Sequence, residues 1–248
     1  MIKMGITESG DAALDLSWKR WVIDEGKPAI LITKDPALLL NKVPDLFNYP
    51  VILHATITGY GGTLMEPNVK SPEYMIESMS KYLDNKDKIV IRVDPIIPSD
   101  SFLDKSLKVI ESCASIGFTR YRISFMDYYY HIRDRLSMNY KYSEISKELY
   151  KVYSGSLHAP LDLRNSVLDK IRSILTTECS LEICGEPNMT NTGCISKYDF
   201  DILGLDYGDR FITNHYQRST CKCLKCKTEL LSNKHPCSHN CIYCYWKV

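Results

Sequence analysis

Three cysteines in this chain, Cys237, Cys241 and Cys244, follow the spacing C-x3-C-x2-C, with Tyr243 just before the last of them. Thiolates at short-loop spacing are the usual ligands of iron–sulfur clusters. Three of them reach three irons of a cubane and leave the fourth open to a small cofactor. The chain holds 10 cysteines in 248 residues, unevenly spread. Cys221, Cys223 and Cys226 stand close before the terminal three, Cys184 and Cys194 form a looser pair, and Cys113 and Cys179 stand alone.

Zinc is the rival ligand. Cys223-Leu-Lys-Cys226 and Cys241-Ile-Tyr-Cys244 are two C-x2-C knuckles, separated much as in a zinc ribbon. That reading leaves Cys184, Cys194, Cys221 and Cys237 without a role. A disulfide framework fits poorly, because the sequence shows no basic-then-apolar leader and the chain is far longer than disulfide-stapled miniproteins. With no long apolar run either, the expectation is a cytoplasmic protein without a membrane partner. The 31 basic and 30 acidic residues nearly cancel. No strong basic field results, so duplex DNA is not favoured as a partner.

The residues that position these cysteines alternate between strand-like and helix-like runs. Strands are expected at Ile2 to Thr7, Ala29 to Thr33, Val51 to Thr58, Lys88 to Val93, Tyr121 to Phe125 and Leu181 to Cys184. Continuous apolar runs such as Ala-Ile-Leu-Ile belong to strands buried on both faces. Helical periodicity surrounds Trp18 to Val22 and Pro36 to Phe47. A further helix opens at Ser71-Pro72, another runs from Ser101 to Ile116, and two are expected in 129–176, broken near Gly155 to Pro160. Repeated strand–helix units imply a parallel sheet wrapped by helices. The expected fold class is α/β, a TIM-like (β/α) barrel, complete or partial, in one domain over 1–248. No glycine-rich phosphate loop follows the first strand, which argues against an open doubly wound sheet.

Polar residues gather at the C-terminal strand ends, where barrels carry function. They include Thr7, Glu8 and Asp11; Lys34; Thr56, Thr58, Tyr60 and Glu66; Arg92 and Asp94; Ser124 and Asp127; and Glu186. Singly, Asp-Pro and Glu-Pro steps simply start turns. Together, carboxylates with Lys34 and Arg92 at one mouth can hold a zwitterionic cofactor. His54, within an apolar strand, reads as a packed histidine. His215, His235 and His239 flank the cysteines as candidate cluster or zinc ligands, with His239 expected rather to tune a cluster by hydrogen bonding.

Seven ordered segments resemble a bacterial family of unknown function that is similar to radical S-adenosylmethionine enzymes, especially the spore photoproduct lyase branch. They are Ile32 to Pro36, Thr56 to Tyr60 with Glu66-Pro67, Ile91 to Ile96, Ile123 to Asp127, the Cys184/Cys194 pair, Arg218 with Cys221-Lys-Cys223, and the terminal motif. Radical enzymes of this kind usually carry C-x3-C-x2-C near the N-terminus. The resemblance therefore implies a circularly permuted barrel with a C-terminal Cys-rich cluster segment over 184–248. It implies a 4Fe–4S cluster on Cys237, Cys241 and Cys244, which passes one electron to S-adenosylmethionine and so generates a 5′-deoxyadenosyl radical. Cys184, Cys194, Cys221 and Cys223 are the positions shared with relatives, and four thiolates suit a second cluster or a structural zinc. Thr58, Tyr60, Glu66, Arg92, Asp94, Ser124 and Asp127 are the expected S-adenosylmethionine residues, with Arg92 on its carboxylate. The implied partners are a small-molecule or nucleotide substrate, a nucleic-acid component included, and an electron donor such as flavodoxin or ferredoxin. The alternative is a zinc-stabilised protein that binds nucleic acid or protein without catalysis, through basic residues Lys222, Lys225, Lys227 and Lys234.

Overall fold

The apolar runs of the sequence become the strands of one parallel sheet. The computed structural model describes residues 3–206, 220–224, 226–231 and 237–245. Ile2, Arg218, His215, His235, Lys225 and Lys234 lie outside the described residues. The strands are β1 (Met4–Ile6), β2 (Ala29–Thr33), β3 (Val51–Thr56), β4 (Ile89–Ile96), β5 (Arg120–Phe125), β6 (Ser180–Ile183) and β7 (Lys227–Glu229). Their order is β6-β5-β4-β3-β2-β1-β7, and every pairing is parallel. The order runs in one direction without the reversal that defines a doubly wound sheet. Among the described residues no pairing joins β6 to β7, so these are the two edges.

The helices are α1 (Pro36–Lys42), α2 (Pro72–Ser80), α3 (Asp100–Ser115), α4 (Tyr130–Ser137), α5 (Ser143–Tyr153), α6 (Leu161–Ile174) and α7 (Lys197–Ile202). Ser71 caps α2 by accepting from Tyr74 N, with Pro72 in the first turn, as its sequence implies. The stretch 129–176 holds three α-helices rather than two. Asn139 accepts from Lys141 N and sets a 3-10 turn at Tyr140–Tyr142 that separates α4 from α5. The periodicity around Trp18 to Val22 becomes a single π-helical turn, Arg20–Asp24. The short elements α7 and β7 fall where regular periodicity fades, although α7 opens with a capping box of Ser196 and Asp199.

Strand alternation sorts the sheet into two faces. Leu53, Ala55, Ile91, Val93, Tyr121 and Ile123 point to the helices and pack with Leu39, Met75, Val109 and Ile171 of α1, α2, α3 and α6. The other face carries Met4, Ile6, Ile30, Ile52 and Val90, packed with Ile195, Phe200 and Leu224. The same face also carries buried His54, Arg120 and Arg122. Arg120 Nη2 donates to Asp199 Oδ1 at 2.6 Å, and Arg122 pairs with Glu182. These pairs tie α7 and β6 to the sheet. Removing one partner of such a pair costs about 3–5 kcal/mol, because the other charge stays buried.

The loop after β3 turns tightly against α3. A Cβ at Gly59 would lie 2.6 Å from Lys105 O, and Gly59 has φ +93°, so glycine alone suits the position. That turn brings the segment carrying Glu66 back toward the strand ends.

Candidate metal and cofactor site

The terminal cysteine loop is docked onto the C-terminal ends of β1 to β4 by contacts from three separate segments. His239 Nε2 lies 2.9 Å from Asp11 Oδ2, and Asn68 Nδ2 donates to Ser238 O at 2.7 Å. Ile242 N donates to Met65 O at 3.0 Å, and Arg135 Nη2 of α4 donates to Cys244 O at 2.6 Å. His239, expected beside a cluster, thus holds the loop to the segment after β1. Burial by itself raises the Asp11 pKa. The hydrogen bond and charge of His239, with donors Lys34 N and Thr33 Oγ1, outweigh burial and hold Asp11 below the usual carboxylate range.

Beneath the loop lies a buried polar network. Lys34 Nζ donates to Glu66 Oε1 at 2.8 Å and sits 5.4 Å from the centre of the Tyr243 ring. Tyr243 Oη also donates to Glu66, and Thr58 Oγ1 donates to the other Glu66 oxygen at 2.8 Å. Burial lowers the Lys34 pKa, but the charges of Glu66, Cys241 and Asp94 outweigh it and keep the ammonium protonated. The carboxylate therefore joins the β2 cation to the aromatic residue of the cysteine motif.

Cys237, Cys241, Cys244, Lys34, Arg92 and Asp94 all line one cavity of about 190 Å³ at the strand ends. Asp94 accepts from Arg92 Nε at 2.8 Å and also from Arg92 Nη2 and Ser124 Oγ. Arg92 is thus forked onto Asp94, the ion pair that competes with a role on a cofactor carboxylate. Thr56 also faces the cavity, and its buried hydroxyl has no hydrogen-bond partner. A buried orphan hydroxyl is costly, so one on a cavity wall is an observation that favours a polar ligand there.

The remaining expected cofactor residues do not line that cavity. Thr58 and Glu66 form the layer behind Lys34, and Ser124 supports Asp94 from behind. Tyr60 is fully buried: its Oη accepts from Ile97 N at 2.9 Å and bonds Ser106 Oγ, while its ring meets Phe102 edge-on. Asp127 lies 2.8 Å from His158 Nδ1 and accepts from Tyr129 Oη at 3.3 Å. Arg135 was not legible as a site residue, because nothing in the pattern of α4 points to a loop more than a hundred residues away. His54 is fully buried as its strand implies, with Nε2 3.2 Å from Arg122 Nη1.

The other four expected ligands also meet. Cys184 Sγ is 3.1 Å from Cys194 Sγ, and Cys194 N donates to Cys223 Sγ at 3.1 Å. Cys221 stands two residues before Cys223 on the same segment. Among the described residues, no group of three or more His, Cys, Asp or Glu side chains is arranged to hold a metal ion. The terminal motif still fits a cluster by its donor set: three soft sulfur donors on one docked loop, facing a cavity with an orphan hydroxyl. A cubane, unlike one ion, spreads its ligands over separate irons.

A family model described as "Domain of unknown function (DUF1848)" matches residues 22–246, and the chain belongs to that family. No curated protein and no solved structure matches it.

Proposed function

We propose that this chain is a radical S-adenosylmethionine-like iron–sulfur enzyme on a circularly permuted, partial (β/α) barrel. In this reading Cys237, Cys241 and Cys244 ligate a 4Fe–4S cluster, and the cavity beside them receives S-adenosylmethionine. The observation that carries it is the convergence of three thiols, Lys34, Arg92, Asp94 and the orphan Thr56 hydroxyl on one cavity. The permutation is supported by the attachment of the terminal loop to Asp11 and by the pairing of β7 with β1.

When bound, the cluster and S-adenosylmethionine would supply one-electron cleavage chemistry, with the electron taken from an external donor. The residues of the chain hold and shield these groups. Asp11, Asn68, Met65 and Arg135 fix the cysteine loop. Lys34 and Arg92 bring positive charge to a carboxylate, and Asp94 offers an acceptor to an amine. Thr56 contributes a hydrogen bond that it otherwise lacks, and Ile32 and Pro95 on the cavity wall help exclude water. The substrate is a small molecule or nucleotide that reaches the same cavity, and the electron comes from a flavodoxin- or ferredoxin-like donor.

The test is anaerobic. Wild-type protein reconstituted with iron and sulfide should convert S-adenosylmethionine to methionine and 5′-deoxyadenosine under a strong reductant. Cys237→Ala/Cys241→Ala/Cys244→Ala should lose about four irons per chain and all of this activity. Unchanged iron in the triple variant, or intact S-adenosylmethionine with fully loaded wild type, would show the reading to be wrong.

A further inference from the structure

The cysteines that the terminal loop does not use lie across the open side of the sheet. Cys184 directly follows β6, one edge strand, while Cys221 and Cys223 precede β7, the other edge strand. Cys194 stands between them. Cys184 Sγ lies 3.1 Å from Cys194 Sγ, Cys194 N donates to Cys223 Sγ at 3.1 Å, and Cys221 stands two residues before Cys223. All four are free thiols.

The backbone around them is already fixed. Thr220 Oγ1 donates to Gly185 O at 2.9 Å, at the end of β6. Leu224 N donates to Ile195 O at 3.1 Å, and Met4 N of β1 donates to Cys226 O at 2.8 Å. At Gly193 a Cβ would lie 2.4 Å from Cys223 Cα, so only glycine permits this approach of the two segments. Cys194 also has two guanidinium groups close by. Arg92 Nη1 lies 3.9 Å from Cys194 Sγ, and Arg122 Nη1 donates to Cys194 O at 2.9 Å.

We infer that Cys184, Cys194, Cys221 and Cys223 ligate a second metal centre, which clasps the two edge strands of the sheet together. Four protein thiolates close the coordination shell, so this centre is structural and takes no substrate. Its chemistry is that of a thiophilic metal, met by one zinc ion or by a fully ligated cubane. The four side chains as they stand are not arranged around one ion, so binding turns them inward, on backbone segments that are already held side by side. The inference stands apart from the reading of the terminal motif, because it uses none of those cysteines.

The experiment uses wild-type protein and Cys237→Ala/Cys241→Ala/Cys244→Ala, both purified and reconstituted anaerobically. Metal and acid-labile sulfide are measured, and alkylated cysteines are mapped by mass spectrometry before and after chelation. The triple variant should keep about one zinc, or about four irons with matching sulfide, per chain. Sulfide content distinguishes the two. In both proteins, Cys184, Cys194, Cys221 and Cys223 should resist alkylation until chelator is added and then react together, with new proteolytic cleavage on either side of the clasp. In the triple background, Cys221→Ser, at a half-buried position, should weaken retention of the metal at least tenfold. Metal-free triple variant, a chelation-dependent set that lacks Cys184, or undiminished affinity in Cys221→Ser would overturn the assignment.

Discussion

Thr56 separates a ligand role from a structural one more cleanly than any other residue of the site. Its hydroxyl is buried without a partner, so Thr56→Val removes a desolvated group and keeps the shape. Folding stability, read by chemical denaturation, should be unchanged or rise by up to about 1–3 kcal/mol. S-adenosylmethionine binding, read by calorimetry on reconstituted protein, should weaken several-fold. Arg92→Lys should also weaken that binding several-fold while the visible spectrum of the cluster persists, because an ammonium cannot offer the cofactor carboxylate the planar donors of a guanidinium. Lys34, Arg92 and Asp94 were legible in the sequence, because strand alternation and the strand-end rule determine which way they face. Thr58, Glu66 and Tyr60 lie in or beyond loops, where no period tells which side chains reach a cavity and which pack behind it. The hydroxyl of Thr56 belongs to a strand, yet its lack of a partner appears only once its neighbours are in place.

Two elements carry their own tests. The terminal loop depends on Asp11, which accepts from His239, Thr33 Oγ1 and the backbone N–H groups of Ala13 and Lys34. Asp11→Asn turns one of those acceptors into a donor. Amide exchange across residues 237–245 should then speed up at least tenfold, as expected for losing a charge-assisted bond of about 1.5–3 kcal/mol. Unchanged exchange would mean that the loop is held elsewhere. Strand β3 buries His54 as the neutral imidazole, since burial first, and Arg122 and Arg92 after it, push its pKa well below the usual value. Below pH ~6.5 the unfolded chain then binds about one more proton than the folded one at this position. Stability from this residue is fully present above pH ~6.5 and falls by about 1.4 kcal/mol per pH unit below it. His54→Gln should flatten that part of the stability profile by about one proton, measured by denaturation between pH 7 and 5. The strand was legible from its apolar run. The break between α4 and α5 was not, because a single asparagine cap interrupts an otherwise helical pattern. Cys113 on α3 is the contrasting case of a thiol with no metal role: burial raises its pKa to about 12, so it should resist alkylation at neutral pH with or without chelator.

At the scale of the molecule, a one-directional parallel sheet gathers the strand ends, and the terminal cysteine loop covers them. The sheet and its strand order follow from apolar runs alternating with helical ones, which is why six of its strands could be read directly. The seventh, Lys-Thr-Glu, has no apolar pattern and exists because it pairs with β1 at the edge. The barrel expected from the sequence reaches a seven-stranded sheet whose edges are β6 and β7, with the second cysteine set between them. In the proposed reading, the terminal cysteines present an open iron to S-adenosylmethionine at that end of the sheet. Low-temperature electron paramagnetic resonance of the reduced, reconstituted protein tests it most directly. Addition of S-adenosylmethionine should change the spectrum of wild type, and the responsive signal should be missing from Cys237→Ala/Cys241→Ala/Cys244→Ala. A spectrum indifferent to S-adenosylmethionine, or a response that survives in the triple variant, would contradict the account.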